Sequence, residues 1–203
     1  MQADALVAFV IGSPSWFPWL EFAQAFTILY LAWAVLEVLN SIIGRGKSGQ
    51  GQEGRGSYAV VLLGLVLSIS LAFVIRELNV GVATGGAQLL GLALMPAGVV
   101  FREWSIAELG ASFSTRVVIK DGQRLITKAP YCRIRHPAYG GALLTFVGVP
   151  LALGTWAGAI VIAVTALATF LYRVNVEEKA LLAKFGDEYR EYCRRTWKFL
   201  PGF

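Results

Sequence analysis

The chain is short of charged residues, histidine and cysteine, and each shortage excludes a class of protein. Only 15% of its 203 residues are charged and 56% are hydrophobic, whereas soluble domains carry roughly 25% charged residues. This composition predicts a polytopic membrane protein, and the length indicates one domain over residues 1–203. With one histidine and two cysteines, Cys132 and Cys193, the usual zinc-binding spacings are absent, so we predict no metal site. Both cysteines fall in segments predicted to be cytoplasmic, where a disulfide is not expected.

Other familiar signals are absent as well. No Gly-x-Gly-x-x-Gly motif follows a predicted strand, which excludes a soluble enzyme of the Rossmann type. Residues 1–15 carry Asp4 and no basic residue, which argues against a cleaved signal peptide; we interpret this stretch as an interfacial segment. The formal net charge of +5 does not predict a nucleic-acid partner, because the basic residues lie in loops and in the tail beside apolar runs.

Long apolar runs predict an all-α fold of about five transmembrane helices. The first three runs, which form the N-terminal half at 16–101, are predicted at residues 16–43, 58–75 and 87–101. The next run, 138–172, carries no charge. As one helix it would measure about 50 Å, well beyond the ~30 Å hydrocarbon core of a bilayer. Because Pro150 and Gly154 lie near its middle, we predict a tight hairpin of two helices there.

The basic residues predict the orientation of these spans. They gather in the loops after the first and third runs and in the tail, whereas the loop after the second run has only Arg76. The positive-inside rule then places the N-terminus outside and the C-terminus in the cytoplasm. The membrane would be the inner membrane of a prokaryote or the endoplasmic reticulum of a eukaryote.

The polar second half of the chain, 102–203, is predicted to hold a cytoplasmic loop, the hairpin and a tail. The loop, 102–136, is expected to be structured, with a short hairpin around Asp121-Gly122. From Glu177 onward we predict an amphipathic cytoplasmic helix. Its apolar positions recur every four residues, at Leu181, Phe185, Tyr189 and Cys193.

Polar side chains gather at both ends of the predicted hairpin. His136 precedes its first helix, and Arg173 and Glu177 lie four residues apart, hence on one face, where the second helix leaves the bilayer. Each has a structural interpretation: His136 and the following proline are a typical helix start, and Arg173–Glu177 is a typical interfacial salt bridge. A hairpin nevertheless carries both clusters to one face of the membrane, together with Tyr131 and Tyr139. This combination suits a zwitterionic ligand with an aromatic part.

The second half of the chain also carries a series of short motifs. Residues 131–139 read Y-C-R-I-R-H-P-A-Y, and D-G-Q-R-L-I precedes them at 121–126. Arg173, a Glu-Glu pair at 177–178 and F-G-D-E-Y-R-E-Y at 185–192 follow. In this order and spacing, the motifs resemble those of the isoprenylcysteine carboxyl methyltransferase family over about residues 105–203. Ala129 stands where the family usually has glycine, and the small N-terminal half differs from the family's many-span eukaryotic form.

The resemblance implies an integral membrane methyltransferase that uses S-adenosylmethionine, held by the last hairpin, the preceding loop and the tail. It implies that Arg173 faces the carboxylate of the substrate. The cofactor contacts that it implies are Gln123, Arg124, Leu125, Ile126, Tyr131, His136, Pro137, Ala138, Tyr139 and Glu177.

Carboxyl O-methylation of a lipid-linked, prenylated or otherwise apolar acceptor is the function that these residues favour. A carboxylate acceptor is already ionised at neutral pH, so it needs alignment and charge neutralisation by Arg173 but no general base. N-methylation of a phospholipid or S-methylation of a small thiol on the same scaffold is the alternative. A non-enzymatic channel or transporter subunit is a third hypothesis, supported by Glu21 and Gln24 within the first span.

Overall fold

The computed structural model describes residues 19–46, 66–67, 69–114, 124–199 and 202. Within these ranges the regular structure is helical, as predicted, with two isolated β-bridges. The helices are α1 (Trp19–Gly46), α2 (69–77), α3 (Gly86–Leu109), α4 (Pro137–Ala152), α5 (Trp156–Phe185) and α6 (Asp187–Arg195), and a 3₁₀ turn (Gly110–Ser112) follows α3. The predicted hairpin around Asp121-Gly122 and the N-terminal segment 1–15 lie outside the described residues.

Three stretches of helix are long and apolar enough to cross a membrane. They are Gln24–Ile42 of α1, Gly86–Ser112 and the whole of α5. α4 is a shorter apolar helix of 16 residues. These helices identify an integral membrane protein. The number of five spans stays a prediction, because the second predicted span, 58–75, is described only from residue 66 onward.

The uncharged run 138–172 folds as the predicted hairpin. α4 ends just before Gly154, whose φ is +84°, a left-handed conformation that favours glycine. Thr155 then caps α5, because its hydroxyl accepts a hydrogen bond from the Gly158 amide at 3.0 Å. The turn returns α5 alongside α4 and brings the far ends of both helices to the same side.

The amphipathic tail helix predicted from Glu177 is divided between two helices. α5 runs without a break for 30 residues, about 45 Å in length, and so carries Glu177 on the same helix as the span. It ends at Gly186, whose φ is +54° and whose amide donates to the Leu182 carbonyl at 2.9 Å. α6 begins afterwards at Asp187. The sequence pattern missed this break because the four-residue spacing of apolar side chains continues across the glycine.

α3 and α4 pack with their backbones almost in contact. A β-carbon added at Gly98 would lie 2.5 Å from the Gly141 carbonyl oxygen, and one added at Gly141 would lie 2.7 Å from the Arg102 amide nitrogen. Distances this short would force the helices apart, so glycine is required at both positions. The close approach brings Arg102 of α3 against the first turns of α4.

A row of aromatic rings adjoins the polar end of the hairpin. Trp33 of α1 meets Phe146 of α4 edge to face, with 5.3 Å between the ring centroids. Phe146 lies 6.2 Å from Phe170 of α5, and Phe170 lies 5.2 Å from Tyr139, both within the range of interacting rings. Phe199 of the tail is buried in the same cluster. The row joins α1, α4, α5 and the tail next to the polar side chains.

Candidate active site

His136 lies at the N-cap position of α4, but its side chain makes no capping hydrogen bond. The imidazole is buried, with Nε2 3.1 Å from Glu178 Oε1 and Nδ1 3.9 Å from Glu177 Oε2. The proline at position 137 starts the helix, as a first-turn proline does. The structural interpretation of these two residues as a helix start is therefore confirmed, and the His136 ring in addition faces two carboxylates of α5.

Arg173, Tyr139 and Glu177 form one hydrogen-bonded cluster. The Tyr139 hydroxyl donates to Glu177 Oε1 at 2.6 Å, and Arg173 Nε donates to the same oxygen at 2.9 Å. Arg173 Nε also lies 3.4 Å from the Tyr139 hydroxyl oxygen. The Arg173 side chain is only 2% exposed, whereas that of Glu177 is 21% exposed. Because a buried ion that loses its partner is strongly destabilising, a ligand that displaces Glu177 from Arg173 must supply a new partner.

The neighbouring carboxylate, Glu178, has a different set of partners. Three basic groups converge on it: Arg135 Nε at 3.0 Å, His136 Nε2 at 3.1 Å and Lys198 Nζ at 3.2 Å. They come from the loop before α4 and from the tail, so Glu178 fastens both segments to α5. The sequence motif includes Glu178, but nothing in the motif predicted a role for it or its pairing with Lys198.

The tail runs beside the loop that leads into α4, and we call residues 196–199 the strap. The Arg135 amide donates to the Trp197 carbonyl at 2.7 Å, and the His136 amide donates to the Lys198 carbonyl at 2.9 Å. These are backbone hydrogen bonds between segments far apart in the chain, and they fix the main chain at His136. The strap thus limits how far the imidazole can move from α5.

Tyr131 connects the same loop to α3 and α6. Its hydroxyl donates to the Ser105 carbonyl at 3.1 Å, and its own carbonyl accepts from the Tyr192 hydroxyl at 2.7 Å. Burial raises the pKa of both tyrosines above the ordinary value, so both hydroxyls remain protonated donors at physiological pH. The geometry gives Tyr131 a structural role, and its predicted contact with a cofactor stays a prediction.

The other residues that the resemblance implies lie in varied environments. Those that the structure describes are Arg124, Leu125, Ile126, Pro137 and Ala138. Arg124 is exposed and the next two residues are half-buried; Pro137 is buried and Ala138 half-buried. Gln123 lies outside the described residues. Direct contacts therefore unite four of the implied residues around α5, namely His136, Tyr139, Arg173 and Glu177.

The cluster presents a positively charged and a negatively charged side chain to a ligand, and both side chains are largely buried. Arg173 can pair with an anionic group and Glu177 with a cationic group, through charge-assisted hydrogen bonds. Among the residues that the structure describes, no three histidine, cysteine or acidic side chains are grouped so as to hold a metal ion. The arrangement suits the binding of a zwitterion and the orientation of an anionic acceptor.

More than half of the chain is similar to known methyltransferases. Protein-S-isoprenylcysteine O-methyltransferase B of Arabidopsis thaliana is 33% identical over 113 residues, which are 55% of this chain and 57% of that protein. Protein-S-isoprenylcysteine O-methyltransferase of Schizosaccharomyces pombe is 28% identical over 116 residues, which are 56% of this chain and 49% of that protein. The chain therefore spans about half the length of these relatives.

The fold is similar to that of a solved enzyme. It is the eukaryotic intramembrane Ras methyltransferase, an isoprenylcysteine carboxyl methyltransferase whose structure was solved without a monobody. The two structures align with a TM-score of 0.56 at 20% sequence identity. The alignment covers 72% of this chain and 51% of that one, and at this identity it concerns the fold alone.

The family description agrees with the motifs found in the sequence. The model of the isoprenylcysteine carboxyl methyltransferase family matches residues 89–183. All four residues of the contact cluster, at positions 136, 139, 173 and 177, fall inside that range. The chain is thus similar to the isoprenylcysteine carboxyl methyltransferase family over these residues.

Proposed function

We propose that this protein is a methyltransferase that uses S-adenosylmethionine to methylate the carboxylate of a lipid-linked acceptor such as a prenylated cysteine. The observation that carries the proposal is the buried Arg173, held by Glu177 and Tyr139 at the end of an apolar hairpin. An arginine in that place suits an anionic group on a hydrophobic chain. The hydrophobic part of the acceptor would enter laterally between helices and remain in the bilayer, while its carboxylate reaches the guanidinium of Arg173.

The donor set fits S-adenosylmethionine, which has an ammonium, a carboxylate, a sulfonium and an aromatic base. When bound, this cofactor supplies an electrophilic methyl group. Glu177 is the more exposed partner of Arg173 and would receive a cationic group of the cofactor. The further contacts that we propose are Gln123, Arg124, Leu125, Ile126, Tyr131, His136, Pro137, Ala138 and Tyr139.

Arg173 would act on the acceptor. The acceptor enters as a carboxylate, which is ionised at neutral pH, and leaves as a methyl ester. No proton has to be removed, so no general base is required. The task of Arg173 is to neutralise the acceptor's charge and hold the attacking oxygen in line with the methyl group. Its buried hydrogen bonds to Glu177 and Tyr139 keep the guanidinium in one orientation.

We propose five spans, with the site at the cytoplasmic face. The asymmetry of basic residues supports this orientation. Cysteine-accessibility labelling tests it in intact membranes: Ser48→Cys and a cysteine at the C-terminus should react from the cytoplasmic side, and Thr84→Cys from the opposite side. Labelling of positions 48 and 84 from the same side would contradict the five-span arrangement.

A panel of acceptors tests the reaction. Purified protein in detergent is incubated with methyl-labelled S-adenosylmethionine and, separately, with farnesylated N-acetylcysteine, phosphatidylethanolamine and a small thiol. We expect transfer to the farnesylated cysteine, as a base-labile ester. An amine acceptor would be disfavoured beside a cationic Arg173, so transfer to the amine or the thiol instead would establish the alternative reaction. Failure of calorimetry to detect binding of the cofactor or its demethylated product at millimolar concentration would contradict the proposal.

A further inference from the structure

Arg102 of α3 joins α1 to the first turn of α4. Its guanidinium makes a bidentate pair with Glu37 of α1, with Nη2–Oε1 at 2.7 Å and Nε–Oε2 at 3.0 Å. Its third contact is Nη1, which donates to the Ala138 carbonyl at 3.1 Å. We propose that Arg102, oriented by Glu37, is a positioning residue for the candidate active site, because it fixes the turn of α4 that follows His136 and carries Tyr139.

The close packing of α3 and α4 makes this contact possible. A β-carbon added at Gly141 would lie 2.9 Å from the Arg102 β-carbon, so the arginine side chain starts directly on the surface of α4. Ala138 lies three residues before Gly141, one turn back along the same face. Because the guanidinium is a rigid fork, the two hydrogen bonds to Glu37 set the direction of the remaining donor toward Ala138.

The first turn of α4 carries the site. Ala138 directly precedes Tyr139, whose hydroxyl donates to Glu177 at 2.6 Å, and Glu177 in turn receives the hydrogen bond of Arg173. A small rotation of this turn would therefore move the phenol relative to the carboxylate and change the orientation of the guanidinium. Misplacement by about 1 Å can reduce the rate of a reaction that depends on alignment by about a hundredfold.

The inference also gives α1 a role, although α1 precedes the family-matched residues 89–183. The Arg102 side chain is 14% exposed and that of Glu37 is 35% exposed, so the pair is mostly buried but still partly accessible to solvent. Through this pair the N-terminal span, whose outward side chains are largely exposed apolar residues, is connected to the residue next to Tyr139.

A second polar pair on the same two helices provides a matched control. Asn40 Nδ2 of α1 donates to Glu103 Oε1 of α3 at 2.7 Å. This pair joins α1 to α3 just as Glu37–Arg102 does, but it does not include α4. If the only task of these polar residues is to hold α1 against α3, breaking either pair should have the same kind of effect.

The test uses the 203-residue chain in detergent and rests on the proposed methyltransferase function. The variants are Glu37→Gln, Arg102→Lys, Asn40→Ala and the charge-reversed double variant Glu37→Arg/Arg102→Glu. Thermal unfolding, calorimetric binding of S-adenosylhomocysteine, and kcat and KM with farnesylated N-acetylcysteine are measured for each. Arg102→Lys keeps the charge but has one nitrogen for two partners. We expect it and Glu37→Gln to lose about tenfold to a hundredfold in kcat/KM, while Asn40→Ala keeps the wild-type value per folded molecule.

The double variant separates positioning from helix pairing. It restores an ion pair between α1 and α3 but places an acceptor, not a donor, opposite the Ala138 carbonyl. We expect its unfolding temperature to recover toward that of the wild type while kcat/KM stays low. Recovery of kcat/KM, or an equal loss in Asn40→Ala, would overturn the inference. If the double variant does not fold, the contrast between Arg102→Lys and Asn40→Ala decides.

Failure of the inference and failure of the proposed function give different results. A wild-type protein that neither binds S-adenosylhomocysteine nor transfers a methyl group contradicts the proposed function, and the positioning role with it. A wild-type protein that is active, with an Arg102→Lys variant of equal activity, contradicts the positioning role alone.

Discussion

The two ends of the α4–α5 hairpin each hold a buried arginine, but with different partners. At the turn, Arg76 is 5% exposed and its Nε donates to the Leu153 carbonyl at 2.8 Å. At the other end, Arg173 is 2% exposed and its Nε donates to the Glu177 carboxylate. A backbone carbonyl in a tight turn cannot be exchanged without opening the turn, whereas a carboxylate side chain can turn to another cation by changing rotamer. The contact of Arg76 at the turn thus has a structural role, whereas the pair of Arg173 with Glu177 at the other end is one that a ligand can replace.

Replacement of Arg173 by alanine should have the largest effect on activity. The acceptor carboxylate would lose a charge-assisted contact worth ~1.5–3 kcal/mol, which corresponds to a fall in turnover of about 10 to 150-fold. Cofactor affinity should stay near the wild-type value. Single-turnover kinetics and calorimetry measure the two quantities, and Arg173→Lys is the control that keeps the charge. Small, equal losses of stability in Arg173→Ala and Glu177→Ala, with full activity per folded molecule, would reduce the pair to an ordinary salt bridge.

The substitution Glu177→Gln should weaken cofactor binding more than it reduces turnover. It keeps the shape of the side chain and removes the charge, so one charge-assisted hydrogen bond to the cofactor weakens. A loss of ~1.4 kcal/mol of binding free energy corresponds to a tenfold larger dissociation constant. We expect calorimetry to show an increase of about that size. Turnover at saturating cofactor should fall less. A variant with wild-type cofactor affinity and strongly reduced turnover would assign Glu177 to the acceptor side instead.

At the turn, Arg76→Met should change stability and leave chemistry unchanged. The Leu153 carbonyl would lose a buried donor, which costs about 1–3 kcal/mol of unfolding free energy. Activity normalised to folded protein should match that of the wild type, and Arg76→Lys should recover part of the stability. Unfolding in detergent, followed together with activity, gives both quantities. Reduced kcat/KM in a variant of unchanged stability would mean that the two ends of the hairpin are functionally coupled.

The smallest change in the free energy of unfolding is expected from Lys198→Met, measured by unfolding in detergent. The Lys198–Glu178 contact of 3.2 Å joins side chains that are 22% and 20% exposed, and such partly exposed pairs contribute about 0–1 kcal/mol. The difference from the wild type should shrink further in high salt, which screens exposed charges. Glu178→Gln, which disturbs contacts with Arg135 and His136 as well, is the comparison. A loss with Lys198→Met as large as with Glu178→Gln would make the strap's charge the main determinant of the site.

The hairpin and its polar ends were predictable because the signals are local. A charge-free run too long for one span, with Pro150 and Gly154 in its middle, requires a reversal wherever it occurs. The spacing of Arg173 and Glu177 places them on one helical face in any fold. Once both are known, the position of His136 follows from the hairpin alone.

The pairings between distant segments were not predictable from the sequence. Glu37 and Arg102 are 65 positions apart, and the choice of partner depends on the rotation of each helix, which the packing of the whole bundle determines. The approach of α3 to α4 at Gly98 and Gly141 is of this kind, since five other glycines among the described residues have no such neighbour within 4 Å. The break at Gly186 had a local signal, a glycine followed by an acidic pair, but the regular spacing of apolar residues obscured it.

The unbroken course of α5 has a consequence for the bilayer. One rigid rod carries both the lipid-facing residues of the span and the charged residues of the site, with Arg173 about 26 Å along its axis from Trp156. Since no hinge separates the two parts, the depth of the guanidinium below the headgroups follows from the tilt of the rod. Helices adjust their tilt to the thickness of the hydrocarbon layer. If Arg173 holds the acceptor as we propose, membrane thickness sets the level at which the acceptor's carboxylate meets it, and we expect turnover to depend on lipid acyl length.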